Sequence, residues 1–214
     1  ANNFDVKIEN VTDDFSSMLI TGPRSREILQ LMTEDDLSNE NFRWLCAKYI
    51  QLDSAKVLAI RVSYAGELGY ELHMPSYQLL SIYDSIWRVG KKFGLRDFGG
   101  YAFNSMRLEK MYRAYGNEFT EEISGLEAGM GRFIDTTRDF IGCDNIKKRA
   151  NNEFDIELAY LVFDDDMACE CFGNEAVYNN GELIGLTTSG AFGHRIGKSL
   201  AFAYLKPAII AQGL

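Results

Sequence analysis

Apolar positions in this chain recur at two different periods. Segment 1–20 reads as strand, ending in the apolar run Phe15–Ile20, and 44–52 and 56–63 read as two further strands joined by a turn at Asp53-Ser54. Between them, Thr21-Gly22-Pro23 opens a short helix whose body is Glu27, Ile28, Leu29, Leu31 and Met32, since proline is tolerated in a first helical turn. The stretch 33–43 is polar and acidic and is expected to be a loop or a short helix. From residue 76 the period lengthens. Leu79, Ile82, Tyr83, Ile86 and Trp87 fall at helical spacing, with Ser76 as the expected cap, Lys91 and Lys92 near the negative C-terminal end and Gly94 as the stop. This stripe, Trp87 included, reads as core, and Trp44 at the head of its strand is expected to be packed. A second helix is predicted over 99–113, with Ala102, Met106, Leu108 and Met111 on its apolar side, and a short third over 139–149.

Beyond Asn151-Asn152, read as a linker, strands follow one another at 156–163, 175–178, 183–188 and 200–205, and Asn180-Gly181 is a strong hairpin signal. The expected class is therefore α+β: a mixed sheet-and-helix domain over 1–150, then a small antiparallel β-barrel or sheet over 151–214.

The 214 residues, 46% hydrophobic and 25% charged, have the makeup of an ordinary globular chain. No apolar run approaches the ~18 residues of a membrane span, and no leader is expected where the first twenty residues carry four acids and the single base Lys7. The net charge of −9 argues against nucleic acid as a partner, the densest basic run being Lys147-Lys148-Arg149. Of the four cysteines, Cys169 and Cys171 form a C-x-C pair, but no further ligands stand nearby, so no metal is expected. Asp164-Asp165-Asp166 reads as a solvated turn, because the glycine and distant glutamate of a calcium loop are out of register.

Among chemistry-bearing patterns, the P-loop, the dinucleotide fingerprint and the nucleophile elbow are all missing, and two histidines, His73 and His194, do not define a triad. The unusual segment is 61–75, where Tyr64 and Glu71 flank a glycine reversal at Gly66 and Gly69. A straight strand would put the two on opposite sides; with a reversal between them they can line one pocket. A carboxylate in a pocket wall accepts two parallel hydrogen bonds from a ligand with adjacent N–H groups, and a tyrosine beside it can stack or hydrogen-bond. The bland alternative is a surface hairpin with a solvated Glu71 and a half-buried Tyr64.

Five ordered blocks carry a family resemblance. RVSYAGELGYELHMP (61–75) resembles the signature of the glycine-cleavage T-protein family, the folate-dependent aminomethyltransferases. ITGPRSREILQ (20–30), FGGYAFNSMRLEKMYRAYGNE (98–118), GLEAGMGRFIDTTRDFIG (125–142) and GELIGLTTSGAFGHRIGKSLAFAYL (181–205) are similar to that family's helix start, Arg-Leu-Glu helix, Leu-Glu-Ala-Gly segment and C-terminal barrel with its Thr-Ser-Gly turn. The wording at 104–110 resembles the folate-binding parts of dimethylglycine and sarcosine dehydrogenases.

The resemblance implies a folate-binding domain of the T-protein type followed by a β-barrel, with tetrahydrofolate as cofactor and one-carbon transfer from an amine donor as the reaction. It gives Glu71 the pterin ring's N3–H and 2-amino hydrogens and places Tyr64 in the same pocket. It implies that Arg107 is structural, tied to a neighbouring carboxylate. It puts the catalytic aspartate before residue 1, so no catalytic residue is expected within the chain. The family's folate-tail arginine corresponds to Phe103, which leaves the tail's partner open. Further barrel strands are expected after Lys206-Pro207, and an incomplete sheet would favour self-association through its open edges. The expected partners are a reduced folate and an upstream flavoprotein segment or subunit, and the expected location is cytoplasmic, or the mitochondrial matrix in a eukaryote. A non-catalytic folate-binding module and a folate-dependent demethylase are the alternatives within the same fold.

Overall fold

The computed structural model describes residues 5–164 and 171–212. The chain divides into two compact units, 1–97 and 98–214. The first holds a four-stranded antiparallel sheet in the order β1-β4-β3-β2, built from β1 (Phe15–Thr21), β2 (Ala47–Leu52), β3 (Ala55–Ile60) and β4 (Gly69–Pro75). One face is apolar by strict alternation: Ile20, Ile50, Leu52, Val57, Ala59, Tyr70, Leu72 and Met74 are all buried. That face packs against Ile28 and Leu29 of α1 (Ser25–Gln30) and Ile82 and Ile86 of α2 (Leu79–Gly90). Burying each of these aliphatic side chains contributes about 1.5–3 kcal/mol.

The helical spacing read from 79 onward places Ile82 and Ile86 in the core with Leu79 packed against them. Tyr83 and Trp87 are only half-buried, edge-to-face against each other and outside the core cluster, so the expectation that Trp87 is core is corrected. Gly94 ends the segment in a left-handed conformation at φ 75°. Three further local readings are corrected. Residues 5–14 are not strand. Ser76 does not cap the helix; its hydroxyl donates to the Asp13 carbonyl at 3.2 Å and accepts from Ser16 Oγ at 3.0 Å, tying the end of β4 to the start of β1. Trp44 is not packed but 68% exposed: Leu45, at φ 61°, turns the chain before β2 begins, which leaves the indole outside the sheet.

The second unit contains α3 (Gly100–Glu109), α4 (Cys143–Ala150) and an antiparallel sheet in the order β5-β8-β7-β6, from β5 (Glu157–Val162), β6 (Ala176–Asn179), β7 (Glu182–Gly193) and β8 (Lys198–Leu205), followed by α5 (Pro207–Gln212). The helix expected over 99–113 stops at Glu109 because Met111 is left-handed at φ 57°. The Met111 N–H returns to the Leu108 carbonyl and the Tyr112 N–H to that of Arg107, the paired bonds of a Schellman end. The hairpin at Asn180-Gly181 is present, with φ 50° and 83° in the left-handed region that a two-residue hairpin turn requires.

The Thr-Ser-Gly segment is not a turn. Thr188, Ser189 and Gly190 lie inside the twelve-residue strand β7, at a register shift against β8 between Thr187 and Ser189, the mark of a β-bulge. Central β8 is apolar on both faces, as a strand covered on two sides must be. Leu200 and Phe202 pack with Leu108 of α3, while Ala203 and Leu205 pack with Ile184 and with Ile209 and Ile210 of α5. The expected fold class holds: this is α+β, with two antiparallel sheets.

Candidate functional site

Strand β4 runs between β1 and β3, and its alternation sorts its side chains. Tyr70, Leu72 and Met74 enter the core, while Glu71 and His73 share the opposite face. Glu71 lies opposite Leu19 of β1 and Ile60 of β3, and His73 opposite Ser17 and Leu58. The two side chains are 43% and 34% exposed, and His73 Nε2 stands 3.5 Å from Glu71 Oε2. Among the described residues, no hydrogen bond reaches the Glu71 carboxylate. The Nε2 atom of His73 is itself shielded from solvent and, among the described residues, has no hydrogen-bond partner.

The connection from β3 to β4 carries Tyr64, half-buried, seven residues before Glu71. Its path is set by two glycines of different kinds. Gly66 has φ +72°, which favours glycine. Gly69 is needed for closeness: a Cβ there would lie 2.7 Å from that of Ser63. Ser63 in turn shares a 3.1 Å hydrogen bond with Thr21 Oγ1 and accepts from the Ala65 N–H at 3.2 Å, so the connection is stitched to the end of β1. Of the two expected ligand residues, Glu71 is held on a central strand and Tyr64 on this fixed connection. The neighbour the structure adds to Glu71 is His73, which the sequence reading set aside because two histidines made no triad.

The other motif residues have structural duties. In the second unit, Arg107 is buried and donates to Glu118 Oε2 at 2.9 Å and to the Tyr112 carbonyl at 2.8 Å, as its expected role requires. Glu118, fully buried, also accepts from the Ala114 N–H at 2.7 Å, from Thr188 Oγ1 at 2.7 Å and from the Ser189 hydroxyl. Asn104 Nδ2 and Ser105 Oγ donate to the carbonyls of Gly190 and Phe192, in the part of β7 beyond its pairing with β6. Glu109 accepts the Arg195 N–H at 2.7 Å. Of the polar members of Asn-Ser-x-Arg-Leu-Glu, Asn104 and Ser105 thus dock α3 onto β7, Glu109 holds the turn that follows it, and Arg107 reaches the sheet through Glu118, which Thr188 and Ser189 of β7 also contact. The Glu118 hub was missed because its partners lie 70 and 71 residues away in sequence.

Glu175, in the connection before β6, is another filled carboxylate. Burial pushes its pKa up, but Cys171 Sγ, Thr187 Oγ1 and the N–H groups of Phe172 and Gly173 all donate to it and hold it at about 2. Cys169, the other half of the C-x-C pair, lies outside the described residues, as do Asp165 and Asp166. Among the described residues, no group of three or more acids, histidines or cysteines is arranged to hold a metal, and no helix is long and apolar enough to cross a membrane. Phe103 packs against Phe98, the rings tilted at 33° with centroids 6.2 Å apart, and offers no charge to an anionic tail.

The model of the GCVT N-terminal domain matches residues 1–138, and that of the glycine cleavage T-protein C-terminal barrel domain matches residues 157–214. The chain is 40% identical over 205 residues to mitochondrial dimethylglycine dehydrogenase of Homo sapiens, covering 94% of this chain and 23% of that protein. It is 32% identical over 209 residues to an aminomethyltransferase of Caldanaerobacter subterraneus, covering 94% of this chain and 54% of that one. The crystal structure of glycine cleavage system aminomethyltransferase T from Bartonella henselae superimposes with a TM-score of 0.77 at 18% identity, covering 91% of this chain and 52% of that one. The chain therefore spans about a quarter of the dehydrogenase and about half of the aminomethyltransferase it matches. With both of its halves matched in order, the chain belongs to the glycine cleavage T-protein family.

Proposed function

We propose that this chain binds the pterin ring of a reduced folate through Glu71, with Tyr64 alongside, in tetrahydrofolate-dependent one-carbon transfer of the aminomethyltransferase type. The observation that carries the reading is the state of one carboxylate. Glu71 is fixed on a central strand and half withdrawn from water, yet no hydrogen bond from the described residues fills its acceptor sites. A carboxylate in that condition suits a planar ligand edge with two adjacent N–H donors, which the pterin N3–H and 2-amino group supply. Bound tetrahydrofolate would supply N5 and N10 as acceptors of the one-carbon unit. The chain's own part is binding and orientation: Glu71 fixes the ring's rotation in its plane, and Tyr64 offers an aromatic face or a hydroxyl. The acid–base step is assigned to no residue of this chain, so binding without turnover is the expected behaviour of the chain by itself.

The dehydrogenase relatives make a flavoprotein segment or subunit the expected source of the oxidised amine. A second reading, a binding module without turnover, draws on Phe103, which cannot pair with a folate carboxylate as an arginine would. Both readings share the pterin contact and are tested together by calorimetry with 5-formyltetrahydrofolate, a stable reduced folate. Glu71→Gln is expected to weaken binding roughly 10- to 100-fold, the loss of a charge-assisted bidentate contact. Equal affinity in the two proteins would overturn the assignment.

A further inference from the structure

We infer that His73 is a positioning residue for the Glu71 carboxylate, setting its rotation so that two oxygen lone pairs remain directed to the ligand; this rests on the pterin reading of Glu71. The two residues are neighbours on one face of β4, and His73 Nε2 lies 3.5 Å from Glu71 Oε2, an ion-pair separation rather than a made hydrogen bond. The imidazole has little else to do on that face. Its cross-strand neighbours are Ser17 of β1 and Leu58 of β3. On β1 the face carries Phe15, Ser17 and Leu19, none of them charged; on β3 the charge is Lys56, whose Nζ sits 4.6 Å over the Tyr49 ring. A nitrogen that is shut off from water and without a partner costs free energy until it is satisfied, and the acceptor in reach is Glu71.

The carboxylate gains from the same contact. A glutamate has three side-chain torsions to fix when it grips a ligand, and a half-exposed one loses that freedom on binding. An imidazole nitrogen held 3.5 Å from one oxygen restrains the carboxylate plane beforehand and, when the contact closes as the ligand binds, uses one of about four acceptor sites, which leaves enough for a two-donor edge. A leucine at 73 would fill the same place on the sheet without restraining Glu71. A glutamine would restore an N–H near the same position.

A double-mutant cycle on the full chain separates positioning from mere packing. Dissociation constants for 5-formyltetrahydrofolate are measured by calorimetry for the wild type, His73→Leu, His73→Gln, Glu71→Gln and Glu71→Gln/His73→Leu, with thermal melts confirming that each is folded. The expected result is a roughly three- to tenfold loss in His73→Leu, most of it recovered in His73→Gln, and no further loss when His73→Leu is added to Glu71→Gln. Should His73→Leu fail to fold, His73→Thr takes its place in the cycle. Wild-type affinity in His73→Leu, or an equal loss on both backgrounds, overturns the positioning role and leaves the Glu71 reading standing. A Glu71→Gln protein that binds like the wild type, or a wild type that does not bind, removes the Glu71 reading and this inference with it.

Discussion

Glu71 of the first unit and Glu118 of the second are the same side chain in opposite circumstances. Glu118 is fully buried and accepts from Arg107, the Ala114 N–H, Thr188 and Ser189. Its acceptor capacity is used up, and a carboxylate is tolerated in an apolar interior only on that condition. Glu71 is half exposed and has one imidazole beside it. Both stand in segments that resemble family motifs, so resemblance alone does not distinguish them. Unfilled acceptor capacity does: a saturated carboxylate builds the fold, and an unsaturated one on a rigid strand is available to a ligand. Glu127 and Glu175 fall on the saturated side, with Ser124 and Arg149 filling the first and a thiol, a hydroxyl and two backbone N–H groups filling the second.

The strongest way to break this comparison is to empty the Glu118 site. Glu118→Ala leaves Arg107 buried at 2% exposure with its carboxylate partner gone, strands the Ser189 hydroxyl and leaves Thr188 only its 3.5 Å bond to the Phe202 carbonyl. The expected loss is about 3–5 kcal/mol of unfolding free energy, read by urea denaturation. A loss below about 1 kcal/mol would mean that the hub does not hold the second unit together.

Glu175 allows a subtler test, because its acceptors are filled at the surface of the unit. Its folded-state pKa, about 2, lies below the ordinary 4.5, so it contributes stability above about pH 4.5 that is lost as pH falls toward 2. Glu175→Gln is expected to cost about 1 kcal/mol at pH 7, screening by solvent having reduced the effect, and the gap between wild type and variant should close across that acid window. Thermal or urea unfolding at pH 7, 4 and 2.5 reads it. A gap that persists unchanged at pH 2.5 would show that the charge plays no part and that Glu175 acts by shape alone.

How much of this was legible beforehand follows from the range of the interactions involved. Helix α2 and the Asn180-Gly181 hairpin are local, set by spacing and by two left-handed residues, and both were read correctly. The family was legible because five blocks keep their order along the chain. Trp44 was misread because the left-handed turn at Leu45 has no glycine or asparagine to announce it. The Thr-Ser-Gly segment is expected as a turn from the family resemblance, whereas it forms a β-bulge within β7, a distinction that depends on the partner strand β8 and not on the local residues. The His73–Glu71 contact follows from the i, i+2 alternation of β4, but the sequence does not show that the imidazole nitrogen is shielded from water and lies within 3.5 Å of the carboxylate. The Glu118 hub joins segments far apart in sequence, beyond the reach of any local pattern.

The smallest expected effect is the one that sharpens the contrast most. Glu71→Gln keeps the side chain's size, and the strand that carries it is fixed by core residues on the other face, namely Tyr70, Leu72 and Met74. The substitution removes no hydrogen bond made to the carboxylate by the described residues; it weakens a single 3.5 Å approach by His73, with both side chains partly in water. Unfolding free energy should therefore change by less than about 0.5 kcal/mol. A residue that builds structure cannot be neutralised at so little cost, as Glu118 should demonstrate under the same urea titration. If instead Glu71→Gln costs about 2 kcal/mol or more, the carboxylate belongs with Glu118 as a member of the scaffold, and any accompanying loss of folate binding would have to be attributed to a damaged sheet.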